Sequence, residues 1–346
     1  MSTDIANPAR SPLAALRPLA TSRVGIVILA FIVVGLCLMP FGINPLTVYG
    51  AMIFGSLGSL NAIGETLIYA APILLTSLSA ILCFRAGMWN VGADGQLYLG
   101  AIVTVWLGFN GLGLPALFVI PAMAIAAFLA GALWGMVPGF LKIRFGANEV
   151  IVTIMMNFLA VIFATYLISG PWASGVNPVT KPIVPEAYLP ILIAGTRLHA
   201  NLIVAVAAAL FVYWLLNYSI FGYQVRAIGH NLRAARVAGM PVEKISLLSF
   251  VLAGGVAGLA GLGEVAGIHH NLPDQLSPGF GYTGIAVALL ANLNPLGAIV
   301  SALFLAALNV GANAMQRAIG VPVALVWVIQ GFILLSLLAS GAGKRR

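Results

Sequence analysis

Four carboxylates stand in or beside long apolar runs of this sequence: Glu65, Asp94, Glu149 and Glu264. On membrane-insertion scales an acid at a helix centre costs about 2.5–3.5 kcal/mol, so such residues mark solute or proton paths, or local structural pairs. Asp94 lies in Arg85–Gln96, RAGMWNVGADGQ, where Gly87, Gly92 and Gly95 accompany a cluster of hydrogen-bonding side chains. The pattern predicts a bent approach to a helix, with Asn90 as its cap and Asp94 near its positive end. A structural role and a direct transport role both fit Asp94. Glu149 follows Gly146-Ala147-Asn148 and is expected to open a helix, where a carboxylate suits the dipole. Glu65 and Glu264, nearer the outer ends of their spans, are either solvated or line the mouth of a path.

Amides and aromatics form a second set. Asn157, Asn292, Asn294, Asn309, Asn313 and Gln330 are polar positions in apolar surroundings, joined by Trp89, Phe158 and Trp327. A cavity of amides and aromatic rings suits a neutral heterocycle or sugar; interhelical hydrogen bonding is the alternative use. The candidate pathway residues are thus Trp89, Asn90, Asp94, Gln96, Asn157, Phe158, Asn292 and Asn313. His269 and His270 are adjacent and His199 is remote, so no i, i+4 pair points to a metal. A phosphate-binding loop needs Lys followed by Ser or Thr, and the lysines here precede Ile143, Pro182, Ile245 and Arg345. No cofactor is expected in this chain, and any ATP and Mg chemistry belongs to another polypeptide.

The longest polar and basic run is Phe221–Lys244, FGYQVRAIGHNLRAARVAGMPVEK, with Arg226, Arg233, Arg236 and Lys244. Asn231 reads as the N-cap of a short helix from Leu232 to Ala238, with Gly239 as C-cap and Pro241 beyond. It is either a coupling helix that an outside partner grips or an ordinary basic loop.

The elements that carry these residues follow from composition. Of 346 residues, 61% are hydrophobic and 7% charged, against roughly a quarter charged in soluble domains. Apolar runs near 20 residues recur along the chain, which predicts an all-α, polytopic transmembrane helical bundle. The net charge of +8 flanks the spans and lacks the interleaved aromatics of a nucleic-acid surface. Cys37 and Cys83 read as small buried residues. Spans are expected at Val24–Met39, Glu65–Leu82, Val91–Phe109, Leu114–Phe140, Glu149–Ser169, Leu198–Asn217, Ile245–Gly263, a divided Tyr282–Ala314, and Val321–Ser340. The first has no cleavage pattern after it and is taken as retained. Leu293-Asn294-Pro295-Leu296-Gly297 divides the eighth into a short and a longer piece.

Taking that break as a cytoplasmic turn gives about ten crossings, one short or broken, with both termini cytoplasmic. Of the 16 basic residues, all but Lys181, Arg197 and Arg317 then fall inside, as the positive-inside rule requires. The organisation is a cytoplasmic segment 1–23, a membrane domain 24–340 with the cytoplasmic loop 221–244, and a tail 341–346. Outside, the proline-rich Gly170–Arg197 is a cap, a docking surface or a plain connector, and Gly267–Gly281 is shorter and polar. Gly131, Gly135 and Gly139, and Gly254 with Gly258, repeat at four-residue spacing, which predicts close helix approach within the chain or between subunits.

Four ordered stretches, RAGMWNVGADGQLYLGA, GANEVIVTIMMNFLA, GYQVRAIGHNLRAARVAGM and GYTGIAVALLANLNPLGA, carry a resemblance. They resemble the permease subunits of bacterial ABC importers in the branched-chain amino acid and simple-sugar permease family. The likeness is to the nucleoside-type branch that works with basic-membrane-protein-like substrate-binding lipoproteins, and it covers about residues 60 to 340. Asn90–Gln96 looks like the longer of the two paired nucleoside permeases, with Ala93-Asp94 where a Glu is more usual. The resemblance implies a multi-pass subunit of the bacterial cytoplasmic (inner) membrane. Its implied partners are a second homologous permease, two cytoplasmic ATP-binding-cassette ATPases and an extracytoplasmic substrate-binding protein. It also implies that the loop Arg226–Met240 contacts the ATPase, through Arg226, Asn231, Leu232, Arg233, Arg236, Val237 and Gly239. A proton-coupled secondary carrier using Asp94, Glu149 or Glu264 is the alternative. An intramembrane enzyme has neither a His-Glu metal motif nor a G-x-S-x-G to support it.

Overall fold

The computed structural model describes residues 44–320 except 110–112 and 176–177, with residues 31–33, 35, 36, 39, 324, 327, 328 and 331 on either side. Segment 1–23, Cys37, Gln330 and tail 341–346 lie outside the described residues, and the expected first and last spans are met only at scattered positions.

Among the described residues the regular structure is helical, with isolated β-bridges only in loops. The helices are α1 Pro45–Leu57, α2 Leu60–Arg85, α3 Ala93–Gly108, α4 Ala116–Phe145, α5 Glu149–Ser169 and α6 Asn201–Tyr218. They continue with α7 Ile220–His230, α8 Leu232–Val237, α9 Val242–Gly263 with a π turn Glu264–His269, α10 Phe280–Leu290 and α11 Pro295–Ile319. Helices α2, α4, α5, α6, α9 with its π turn, and α11 are long and apolar enough to cross a bilayer. The expected helical membrane bundle is therefore present.

Apolar helices in a bundle are sorted by what covers them. The apolar windows of α2 and α9 are 83% and 72% buried, whereas those of α4 and α6 are each 28% buried. Helices α2 and α9 thus form the packed axis, and α4 and α6 turn most of their apolar surface outward, as a lipid-facing helix must. Lipid supplies no hydrophobic drive between helices, so the axis depends on close packing. The glycine spacing provides it: a Cβ on Gly131 would overlap the Gly254 carbonyl oxygen, and one on Gly258 the Ala127 carbonyl oxygen. Gly135 meets Phe250 in the same way, so α4 and α9 press together within one chain.

The divided region behaves as its sequence suggests. Helix α10 has 11 residues and α11 has 25. Between them Asn292 and Leu293 take positive φ of 55° and 57°, and the Asn294 side chain caps α11 by accepting the Leu296 N–H at 3.0 Å. Arg85 Nε donates to the Leu293 carbonyl at 2.9 Å, which pins the break to the end of α2.

The caps decide the helix starts. Helix α1 occupies a stretch for which no span was expected; Asn44 caps it and Pro45 takes the first position. The N-cap of α3 is Gly92, not the expected Asn90, whose side chain is used elsewhere. Helix α5 opens at Glu149 as expected, with Asn148 as its cap: Asn148 Oδ1 accepts the Val150 N–H at 3.0 Å, while Glu149 pairs with Lys142.

Candidate functional site

After α2 ends at Arg85, the chain turns back beside its last turns, with Gly87 in a left-handed conformation. Asn90 Nδ2 donates to Ser79 Oγ at 3.0 Å and to Gln96 Oε1 at 3.2 Å, and Asn90 Oδ1 accepts the Gly92 N–H at 3.0 Å. Ser79 lies six residues before the end of α2, so α3 starts about 9 Å inside that end of the bundle. Its first turn is held from a third helix: Asn157 Oδ1 on α5 accepts the Gly95 N–H at 2.8 Å, and Asn157 Nδ2 donates to the Val91 carbonyl at 2.9 Å.

A second helix begins at the same depth. Thr76 Oγ1 donates to the Phe280 carbonyl at 2.9 Å, which places the start of α10 against the middle of α2. Eleven residues make α10 about 16 Å long, half the roughly 30 Å of a hydrocarbon core. Asp94 joins the two starts: its Oδ1 accepts the Ser277 hydroxyl and the Gly281 N–H, both at 2.8 Å. Ser277 Oγ in turn accepts the Phe280 N–H at 3.0 Å. A carboxylate at two helix N-termini offsets unsatisfied amides and the positive dipole ends together. Asp94 is 7% exposed, so this pairing is what makes its burial affordable.

Beyond this junction, toward the Leu60 end of α2, lies a cavity of about 350 Å³. Its lining includes Glu65 and Tyr69 of α2, Arg197, Glu264 and His269 of the π turn, and Phe280. The π turn decides the geometry: i→i+5 bonding stacks residues five apart, and the His270 N–H donates to the Val265 carbonyl at 2.8 Å. Glu264 and His269 are spaced by five, and Nε2 of His269 stands 3.7 Å from Oε2 of Glu264. At the mouth, Arg197 Nη1 stands 3.7 Å from Glu65 Oε1. Behind the cavity wall, in the connection before α6, burial, then His270 and Arg197, push His199 down to about 4. His270, stacked on Tyr188 with ring centroids 3.8 Å apart, is lowered by burial and by His269 and Arg197. No cluster of metal-ligating side chains occurs among the described residues.

The opposite end carries the basic run. Helix α7 is capped by Ser219 Oγ, which accepts the Gly222 N–H at 3.0 Å, and buries Gly222, Val225 and Ile228. Asn231 then caps α8 as expected, with Oδ1 accepting the Ala234 N–H at 3.0 Å. The helix ends at Val237, with Ala238 as its cap and Gly239 next at φ 75°, so the glycine stands one position later than anticipated. Only Ala235 of α8 is buried; Leu232, Arg233, Arg236 and Val237 are all exposed, Val237 at 90%. A Cβ on Gly229 would overlap the Arg85 carbonyl oxygen, so α7 rests on the turn that leads to α3. Arg226 buries one guanidinium nitrogen without a partner.

Of the candidate pathway residues, the fold brings Asn90, Asp94, Gln96 and Asn157 together at the junction. Trp89 stands at the Arg85 end, packed on Phe84 with centroids 4.6 Å apart, and Asn292 lies in the break before α11. Phe158 and Asn313 are exposed on the outer faces of α5 and α11. Sequence reasoning missed Ser79, Ser277, Tyr282 and Tyr69 as members of these clusters. Serine and tyrosine carry no spacing signal here.

Long lipid-facing helices, a half-length helix starting at mid-bundle and an exposed basic helix at one end define a polytopic membrane protein. Residues 62–338 match the family described as branched-chain amino acid transport system / permease component, and the chain belongs to that family. It is similar to a glucose ABC transporter permease protein of Haloferax volcanii, 36% identical over 332 residues, covering 92% of this chain and 87% of that one. It is also similar to a guanosine ABC transporter permease protein of Bacillus subtilis, 35% identical over 323 residues, covering 91% of this chain and 92% of the other. A nucleoside ABC transporter permease protein of Lactococcus lactis subsp. cremoris is 31% identical over 319 residues, 89% of this chain and 87% of the relative. The chain is a permease subunit of an ATP-binding-cassette transporter and a multi-pass membrane protein.

Proposed function

We propose that this subunit forms the import path for nucleosides or a related small hydroxylated solute across a bacterial cytoplasmic membrane. It works with a second homologous permease, two ATPase subunits that bind ATP and Mg, and an extracytoplasmic substrate-binding protein. The nucleoside, guanosine and glucose permeases among its relatives support this solute class. The observation that carries the coupling role is α8, exposed on nearly every side yet tied through Gly229 of α7 to the turn that launches α3. ATP binding in the partners would draw the two α8 knobs together. The load would pass through α7 to the Arg85 turn and the α10–α11 break, and helix tilting would open one end and close the other. At six residues α8 is about 9 Å long, which suits a knob in a groove.

The test is charge reversal at both exposed arginines, Arg233→Glu with Arg236→Glu, in the assembled transporter. Uptake should fall at least tenfold and ATPase activity should lose its response to loaded binding protein, while the permease still reaches the membrane. Normal uptake by the double variant would sink the assignment. Uptake by the wild type that needs no ATP and is abolished by an uncoupler would establish the proton-coupled carrier instead.

A further inference from the structure

Glu264 is the one acid of the outer cavity that is nearly sealed from solvent, at 3% exposure, and it faces into that cavity. His269 Nε2 stands 3.7 Å from the Glu264 Oε2, beyond hydrogen-bond reach. A buried carboxylate is an acceptor with room for several donors, and leaving it without them is costly. The surrounding wall shows what kind of donor fits. Tyr69 and Phe280 stand edge to face, 5.0 Å between centroids, and give the cavity an aromatic side. Tyr69 and Gln275 also line the cavity and add polar groups to its wall.

Charge narrows the class. Arg197 stands 3.7 Å from Glu65, and His269 Nε2 stands 3.7 Å from Glu264. The two carboxylates disfavour an anion. Unspent acceptor capacity beside an aromatic wall suits a neutral molecule with adjacent hydroxyl donors and an apolar ring face. The volume of about 350 Å³ lies within the usual range for small-ligand sites.

We propose that the cavity between α2, the π turn and the start of α10 is a subsite for the vicinal diol of a neutral hydroxylated ring, with Glu264 accepting both hydroxyls and Tyr69 lining the ring face. This rests on the transport reading above and names the group that discriminates solutes within it. Ser277, Pro278 and Phe280 also line the subsite, in the segment that Asp94 holds, so an occupied cavity touches the start of the half-length helix directly.

The experiment compares uptake of guanosine with 2′,3′-dideoxyguanosine, and of glucose with leucine, by proteoliposomes holding the whole transporter and saturating binding protein. Wild type should favour the diol at least tenfold over the dideoxy analogue. Glu264→Gln should reduce that ratio below threefold, while Glu186→Gln, at an exposed acid of the connection before α6 and outside the cavity lining, leaves it intact. Should Glu264→Gln fail to accumulate, Glu264→Asp, which keeps the carboxylate but withdraws it by one methylene, should lower the ratio at least twofold. A ratio unchanged in Glu264→Gln, or in Glu264→Asp where that variant stands in, overturns the subsite and leaves the transport reading standing. Uptake of leucine but of none of the hydroxylated solutes overturns both.

Discussion

Asp94 shows how one side chain can organise a membrane interior. Its Oδ1 meets the Ser277 hydroxyl and the Gly281 N–H, groups 183 and 187 residues away, and each would otherwise be an unpaired donor in a buried site. Leaving a buried donor unpaired costs about 1–3 kcal/mol. Asp94→Ala should therefore lower stability by about 3 kcal/mol, whereas Asp94→Asn, which keeps an acceptor oxygen, should recover most of it. Melting of the purified protein in detergent reads the difference, and an Ala variant that melts like wild type would remove Asp94 from the junction. Asn157 and Asn90 work in the same way, with every polar atom of Asn157 spent on neighbouring backbone or on Tyr282. Of the two uses left open for these residues in sequence, interhelical bonding is the one their side chains make.

At the scale of elements, the α4–α9 pair depends on atoms that are absent. Gly258 sits against the Ala127 carbonyl oxygen on α4, and Gly100 of α3 sits against the carbonyl oxygen of Gly258 itself. A methyl group there has backbone to displace, and overpacking of this kind costs about 1–3 kcal/mol or more. Gly258→Ala should lower the melting temperature clearly. Gly50→Ala on α1, where nothing lies within 4 Å of the new methyl, should leave it unchanged or raise it, since alanine favours a helix by about 1 kcal/mol. If the two variants melted alike, close backbone approach would not be what binds α4 to α9. The pairing also answers a question the four-residue glycine spacing left open, between packing within the chain and contact between subunits: for Gly131, Gly135, Gly254 and Gly258 it is within the chain.

For the whole molecule, the arrangement has one end that carries Arg85, Lys142, the α7–α8 segment and the α10–α11 break, and another that carries Glu65, Arg197 and the π turn. With the first end cytoplasmic, a single cysteine at Arg233 should react with an impermeant maleimide only from inside, and one at Lys181 only from outside, once Cys37 and Cys83 are changed to Ala. Labelling of both from one side would reject the orientation. Much of this plan is legible in the chain, because its causes are local. Apolar runs set the helices, Asn231 and Gly239 bound α8, and Asn294-Pro295 restarts the chain after the half-length helix. The start of α1 is less legible, since Asn-Pro serves turns and helix beginnings alike. Sequence alone therefore determined a helical membrane permease and where its basic helix lies. Only the tertiary structure decided that α3 and α10 begin together at mid-bundle on one carboxylate, and that Glu65 and Glu264 share a cavity. Hydropathy and caps act over a few residues, whereas hydrogen bonds across nearly two hundred are fixed only when the helices pack.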